Sequence, residues 1–213
     1  MTTHYPRSWR TRRRDGATGV TRVVLRRTLR MREHQGVDIR EATAEDADFL
    51  LDMLVEACNW SGQQRITRAA ARADPRLLSY VSDWPRDHDV GVIARDEHGV
   101  PVGAAWARTF SERSRGYGYV AAGVPEISMA VVASWRAKGV GRRLLATLIA
   151  MARQRRWPAL SLSVEDGNRA QSLYRAAGFI TVGRNGTSDT MQLVLQAHEE
   201  GAEREIRVVE GLA

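Results

Sequence analysis

One cysteine, one lysine and no long apolar run mark this 213-residue chain by what it withholds. The lone Cys58 excludes an internal disulfide framework and a thiolate metal cluster, and a reducing cytoplasm fits it best. No apolar stretch approaches the roughly 20 residues that cross a bilayer, and no charged-then-apolar leader opens the sequence, so no membrane partner is expected. The five histidines stand at no metal-like spacing, and no metal site is expected. Lys138 is the only lysine among 32 basic residues, which points to a GC-rich coding sequence more than to a function.

What is present is enough apolar material, 43% of residues, to bury a full core, and one domain of roughly 150 to 200 residues is the default. The net charge of +7 divides unevenly. Residues 1–36 hold ten arginines against Asp15 and Glu33, whereas the rest of the chain is close to neutral. Such an arm can bind nucleic acid by charge alone, but a disordered, solvated extension is the simpler expectation, and nucleic acid is not the expected partner. Met31 stands just before the first patterned residues, so residues 1–30 are expected to be a mis-assigned start and not native protein. The folded domain is expected over 37–196, followed by a loose acidic tail over 197–213.

Within that domain, Val37 to Arg40 reads as a short strand, and Thr43-Ala44-Glu45-Asp46 opens a helix with a hydroxyl cap and an acid three residues later. Ala47, Leu50, Leu51, Leu54, Val55 and Cys58 then form one apolar face at helical spacing, with Cys58 read as a core residue and not a nucleophile. Residues 62–83 read as a second helical region interrupted at Asp74-Pro75, with Ala69, Ala70, Ala73, Leu77, Leu78 and Val81 as candidate buried positions. Residues 90–95 and 102–110 predict a hairpin across Asp96 to Gly99. A glycine-rich loop, Arg115-Gly116-Tyr117-Gly118-Tyr119, leads into a strand over 126–132. After a long helix come a strand over 160–164, a helix capped by Asn168 and ended by Gly178, and an antiparallel pair, 179–184 and 190–195, around Asn185-Gly186.

The most informative stretch is Arg136-Ala137-Lys138-Gly139-Val140-Gly141, which joins the strand at 126–132 to the long helix. Without side chains at 139 and 141 the backbone can approach an anion, and the first N–H groups of the helix point at it unpaired. The helix dipole adds partial positive charge, and Arg136, Lys138, Arg142 and Arg143 add full charges, so a pyrophosphate is the natural guest. Val140, Leu144, Leu145, Leu148, Ile149 and Ala152 give that helix one buried face, and Trp157-Pro158 stops it.

The order of elements, the Arg136-x-x-Gly139-x-Gly141 turn after a strand, and the run Asn168-Arg169-Ala170-Gln171-Ser172-Leu173-Tyr174-Arg175-Ala176-Ala177-Gly178-Phe179 together resemble the GNAT acetyltransferase superfamily over roughly residues 37–195. Ala137 departs from it, since a glycine is common there. The resemblance implies an α/β (α+β) fold: a central mixed, mostly antiparallel sheet of six to seven strands, with the fourth and fifth splayed, flanked by about four helices. It implies acetyl-CoA as cofactor, its pantetheine arm bonded to the backbone of Met129 and Val131 and its diphosphate on the amides of Ala137, Lys138, Gly139, Val140, Gly141 and Arg142. Arg136 adds charge there, and Asn168 both caps its helix and contacts the arm.

By the same resemblance Tyr174 is the general acid for the departing thiolate, and the Val131 amide is the oxyanion donor. Glu126 is the candidate base for the amine proton, directly or through water, with Glu165 as its competitor. The expected activity is acetyl transfer to a primary amine of a small molecule or protein. A non-catalytic acyl-CoA sensor and a nucleic-acid-associated protein acting through the basic arm are the alternatives. Specificity falls to residues 58–84 and 111–125, which bring Trp60, Trp84, Tyr117 and Tyr119 beside Arg65, Arg113 and Arg115; a homodimer is allowed but no residue pattern calls for it.

Overall fold

The computed structural model describes residues 36–195, so the expectations for the arginine arm, the assigned start and the acidic tail lie outside the described residues. One seven-stranded sheet runs through them in the order β1-β2-β3-β4-β5-β7-β6. Its strands are β1 (Asp38–Glu41), β2 (Val90–Arg95), β3 (Pro101–Arg108), β4 (Glu126–Val131), β5 (Ala159–Glu165), β6 (Ile180–Asn185) and β7 (Ser188–Val194). All neighbours are antiparallel except β4 and β5.

Two layers of helix cover the sheet, which is why its central strands read as continuous apolar runs. Successive side chains of a strand face opposite sides. Val90, Val92 and Ala94 of β2 and Ala105 and Ala107 of β3 accordingly pack with helix α4 (Val140–Gln154), while Ile93, Ala104 and Trp106 pack with α1 (Ala47–Cys58). The six positions expected to form the buried stripe of α4 are all buried. In α1, Leu50, Leu51 and Leu54 are buried as expected, but so is Met53 from outside the stripe, and Ala47, Val55 and Cys58 are only half-buried. Before α1, in a 3₁₀ turn, Asp46 accepts from the Thr43 amide at 2.7 Å and from its hydroxyl at 3.2 Å, and Arg40 clamps the same carboxylate.

The second helical region is two helices, α2 (Arg68–Ala73) and α3 (Pro75–Leu78), which brings the total to five with α5 (Ala170–Ala176). Pro75 cannot continue a helix that needs its N–H, so Asp74 ends one and caps the next, accepting from the amides of Arg76 and Leu77. The expected apolar positions there are partly wrong. Ala69, Ala70 and Ala73 are exposed, and Ala71 is the residue of α2 that packs inward. Two six- and four-residue helices do not carry one phase across Asp74. Leu77 and Val81 are buried as expected, and Tyr80 and Trp84 join them.

The region after α3 is pinned by a buried ion pair. Arg108, 1% exposed at its side chain, meets Asp89, and also donates to the carbonyls of Ser79 and Ser82 at 2.7 and 2.9 Å. Trp106 donates its indole N–H to the carbonyl of Tyr80 at 3.0 Å. These bonds fix the backbone that carries Tyr80.

Candidate active site

β4 and β5 share one register pair, Glu126 with Ser161, where the Ser161 amide donates to Pro125 at 2.9 Å; β5 pairs with β7 along its whole length. Beyond that pair the two strands part. Val132 donates its N–H to Val102, and main-chain groups alternate in direction along a strand. The polar groups of Met129 and Val131 therefore point away from β3, into the gap. Both residues line a cleft of about 1280 Å³ that continues past the turn after β4 to the start of α4.

That turn leaves a run of main-chain amides free. Gly139 takes the left-handed conformation at φ 82°, and so does Ala137 at φ 59°, which is why a glycine would sit more easily at 137. No described group accepts from the amides of Ala137, Lys138 or Gly139. Those of Val140, Gly141 and Arg142 stand in the first turn of α4, where no carbonyl four residues back can reach them. Gly141 has ordinary dihedrals; a Cβ there would stand 3.6 Å from Leu173 and 3.8 Å from Met129 and Val131, pointing into the gap.

The side-chain charges are arranged differently from the sequence expectation. Arg136 turns its guanidinium to Glu56 (2.7 Å) and to the carbonyls of Trp60 (3.2 Å) and Val131 (3.1 Å). Lys138 lies over the ring of Trp135, and Arg143 is drawn off to the carbonyl of Val37 at 2.7 Å, leaving Arg142 on the cleft. Long cationic side chains follow the nearest acceptors, which spacing along one helix does not reveal.

Glu126 is 3% exposed, and a buried carboxylate needs donors. Its Oε1 accepts from the Tyr80 hydroxyl at 2.6 Å and from the Gly118 amide at 2.8 Å, while Oε2 has no partner. Tyr80 in turn accepts from the Tyr117 amide at 2.6 Å. Burial pushes the carboxyl up to about 7 against the pull of these donors and of Arg76. The glycines of this loop have a steric reason. A Cβ at Gly116 would stand 2.1 Å from Oε2, and one at Gly118 2.3 Å from the backbone of Leu162 in β5.

Tyr174 is buried on the far wall of the cleft, its ring 5.9 Å from Phe179, and among the described residues no group bonds its hydroxyl. Burial alone pushes it up to about 12, so it stays protonated. Asn168 stands one residue before Arg169, the capping position of α5, accepts from the Ala170 amide at 2.9 Å, and also borders the cleft.

Glu165 does not suit the role of competing base. Arg65 grips it with two bonds of 2.6 Å and the Trp60 indole adds a third, holding its carboxyl down at about 2. A group that binds protons so weakly is a poor acceptor near neutrality. Cys58 borders the cleft but burial raises its thiol above the ordinary value, which suits wall rather than nucleophile. Tyr80 and Glu56 were not expected in the site, and Arg65 was expected only as a specificity residue and not as the partner of Glu165, because the bonded pairs lie 46, 80 and 100 residues apart.

Residues 54–179 match the family model described as the acetyltransferase (GNAT) family. The chain belongs to that family. Its architecture, the splayed parallel pair included, is the GNAT fold. No curated protein matches the chain in sequence. Among solved structures, a GNAT-family acetyltransferase from Staphylococcus aureus Mu50 is 16% identical, covering 75% of this chain and 99% of its own, with a TM-score of 0.57. A putative acetyltransferase from Salmonella typhimurium, seen with its cofactor acetyl-CoA, is 22% identical over 78% of this chain and 97% of its own, TM-score 0.56. A ribosomal-protein-alanine N-acetyltransferase from Brucella melitensis is 28% identical over 74% and 99%, TM-score 0.53. The GNAT family uses acetyl-CoA, and the residues here fit it: free amides at a helix start for a diphosphate, and an unpaired strand edge for an amide-bearing arm.

Proposed function

We propose that the protein is an acetyl-CoA-dependent N-acetyltransferase that passes the acetyl group directly to a primary amine of a small molecule or protein. One observation carries the reading: the turn at 136–142, the free edge of β4, Glu126 and Tyr174 all border a single cleft. When bound, acetyl-CoA supplies an activated acetyl thioester, so no covalent enzyme intermediate is needed.

The amides of Ala137 to Arg142 hold the diphosphate, and Met129 and Val131 bond the arm, which aims the thioester along β4 towards Glu126. Glu126 takes a proton from the incoming ammonium so that the amine lone pair is free to form the C–N bond. The Val131 N–H steadies negative charge growing on the carbonyl oxygen. Tyr174 gives its proton to the sulfur as the C–S bond breaks, the adduct nitrogen sheds its second proton to solvent, from which Tyr174 is reprotonated, and Glu126 releases the first proton to solvent. Asn168 braces the wall that carries Tyr174 and adds a side-chain amide at the arm. The single, half-buried Cys58 supports a cytoplasmic setting for this chemistry.

The test is thiol release from acetyl-CoA on adding an amine. Tyr174→Phe should lose turnover by about 10²-fold or more while still binding acetyl-CoA. An unchanged rate in that variant would remove Tyr174 as the acid.

A further inference from the structure

The acid groups bordering the cleft are Glu56, Glu126 and Glu165. Two of them are already matched: Glu56 by Arg136 at 2.7 Å, and Glu165 by both guanidinium nitrogens of Arg65 at 2.6 Å and by the Trp60 indole. Only Glu126 is held by neutral donors alone, the Tyr80 hydroxyl and the Gly118 amide, and keeps its charge unmatched by an arginine. We propose, building on the acetyltransferase reading above, that the acceptor is a primary monoamine carried on an apolar or aromatic body, and not a polyamine or an aminoglycoside.

Each ammonium group that is buried in the cleft needs its own acceptor. The first is drawn to Glu126, the one acid bordering the cleft that no arginine pairs. A second would have to strip a guanidinium from Glu56 or Glu165, and four arginines, Arg65, Arg136, Arg142 and Arg169, border the same space and repel further positive charge. The walls near Glu126 offer little to a hydroxyl-rich substrate. Tyr80 bonds Glu126 and Tyr117 bonds Tyr80, and the rings of Tyr80 and Tyr117 are stacked with centroids 6.2 Å apart; Leu54, Ile66 and Leu77 line the same cleft. Tyr117 is an exposed aromatic, 38% accessible, with Arg76 covering it at 3.8 Å and its backbone amide fixed to Tyr80. Apolar walls also favour the neutral form of an amine, which is the form that attacks.

The experiment compares kcat/KM of the full-length protein for phenethylamine and hexylamine against spermidine and kanamycin, with acetyl-CoA affinity measured separately by calorimetry. The expected result is at least about a tenfold preference for the two apolar monoamines. Tyr117→Ala keeps the amide that bonds Tyr80, and should cut kcat/KM for phenethylamine about five- to tenfold, chiefly through KM, with acetyl-CoA affinity unchanged. A preference for spermidine or kanamycin, equal loss for all four amines in Tyr117→Ala, or no turnover of any of the four by a protein that binds acetyl-CoA overturns the proposal. Failure to bind acetyl-CoA removes the transferase reading itself, and the acceptor class with it.

Discussion

In the proposed reaction one carboxyl, that of Glu126, takes the amine proton. Its folded value of about 7 is set by burial against two donors, Tyr80 and Gly118. Serving as base, it must be ionised, so kcat/KM should rise with pH through about 7 and level off above it. Tyr80→Phe removes a donor that favours the ionised form, and the acid limb should move upward by about one pH unit; a limb that stays put would mean Tyr80 does not set the base. Glu165→Gln, at a carboxyl already ionised throughout this range, should leave the limb in place. The same residue links to stability. Because the folded value lies above the ordinary 4.5, the folded protein holds a proton that the unfolded chain has released between about 4.5 and 7, and stability from this group is lost as pH rises through that window. Glu126→Gln, neutral at every pH, should therefore gain thermal stability relative to wild type on going from pH 5 to pH 8, while losing turnover. No such relative gain would show that the carboxyl is not desolvated. The sequence placed an acid at the start of a strand beside the cofactor motif. Its burial was not legible, because that depends on a tyrosine 46 residues earlier and a loop 8 to 10 residues before it whose glycines fit only in three dimensions.

The turn and α4 act as one element, and their two glycines separate conformation from space. Gly139 needs its left-handed backbone, so Gly139→Ala should cost about 1 kcal/mol of stability and weaken cofactor binding. Gly141 needs only the absence of a side chain. Gly141→Ala should fold with near-wild-type stability, yet lose about tenfold or more in acetyl-CoA affinity, because its methyl enters the gap beside Met129 and Val131. Equal affinity for the two variants and wild type would place the anion elsewhere. The segment after α3 rests on Arg108; Arg108→Ala leaves Asp89 buried without its partner and should cost about 3 to 5 kcal/mol, read from denaturant unfolding. Of the two long helices, α4 was readable in advance at every position and α1 at half of them. The stripe of α4 is correct at every position because fifteen residues keep one phase. Residues 62–83 were not, because Pro75 resets the phase and two short helices take their orientation from the sheet beneath them.

At the scale of the whole molecule, the sheet order and the parallel β4–β5 pair create the site: one register pair holds the strands together at Glu126, and their divergence opens the gap that ends at α4. The strand sequence was legible from alternation and turn residues, and the splay only through family resemblance, since no local pattern states how far two strands stay paired. The charge network around the cleft was the least legible part, because arginines reach partners across the fold. The account stands on the amides of residues 137–142 holding a diphosphate. Calorimetry with the full chain tests it most directly by comparing coenzyme A with pantetheine, which carries the same arm and thiol without the diphosphate and the phosphoadenosine attached to it. The account predicts saturable one-site binding of coenzyme A and affinity for pantetheine weaker by about 100-fold or more; equal affinity for the two, or no heat with coenzyme A, would contradict it.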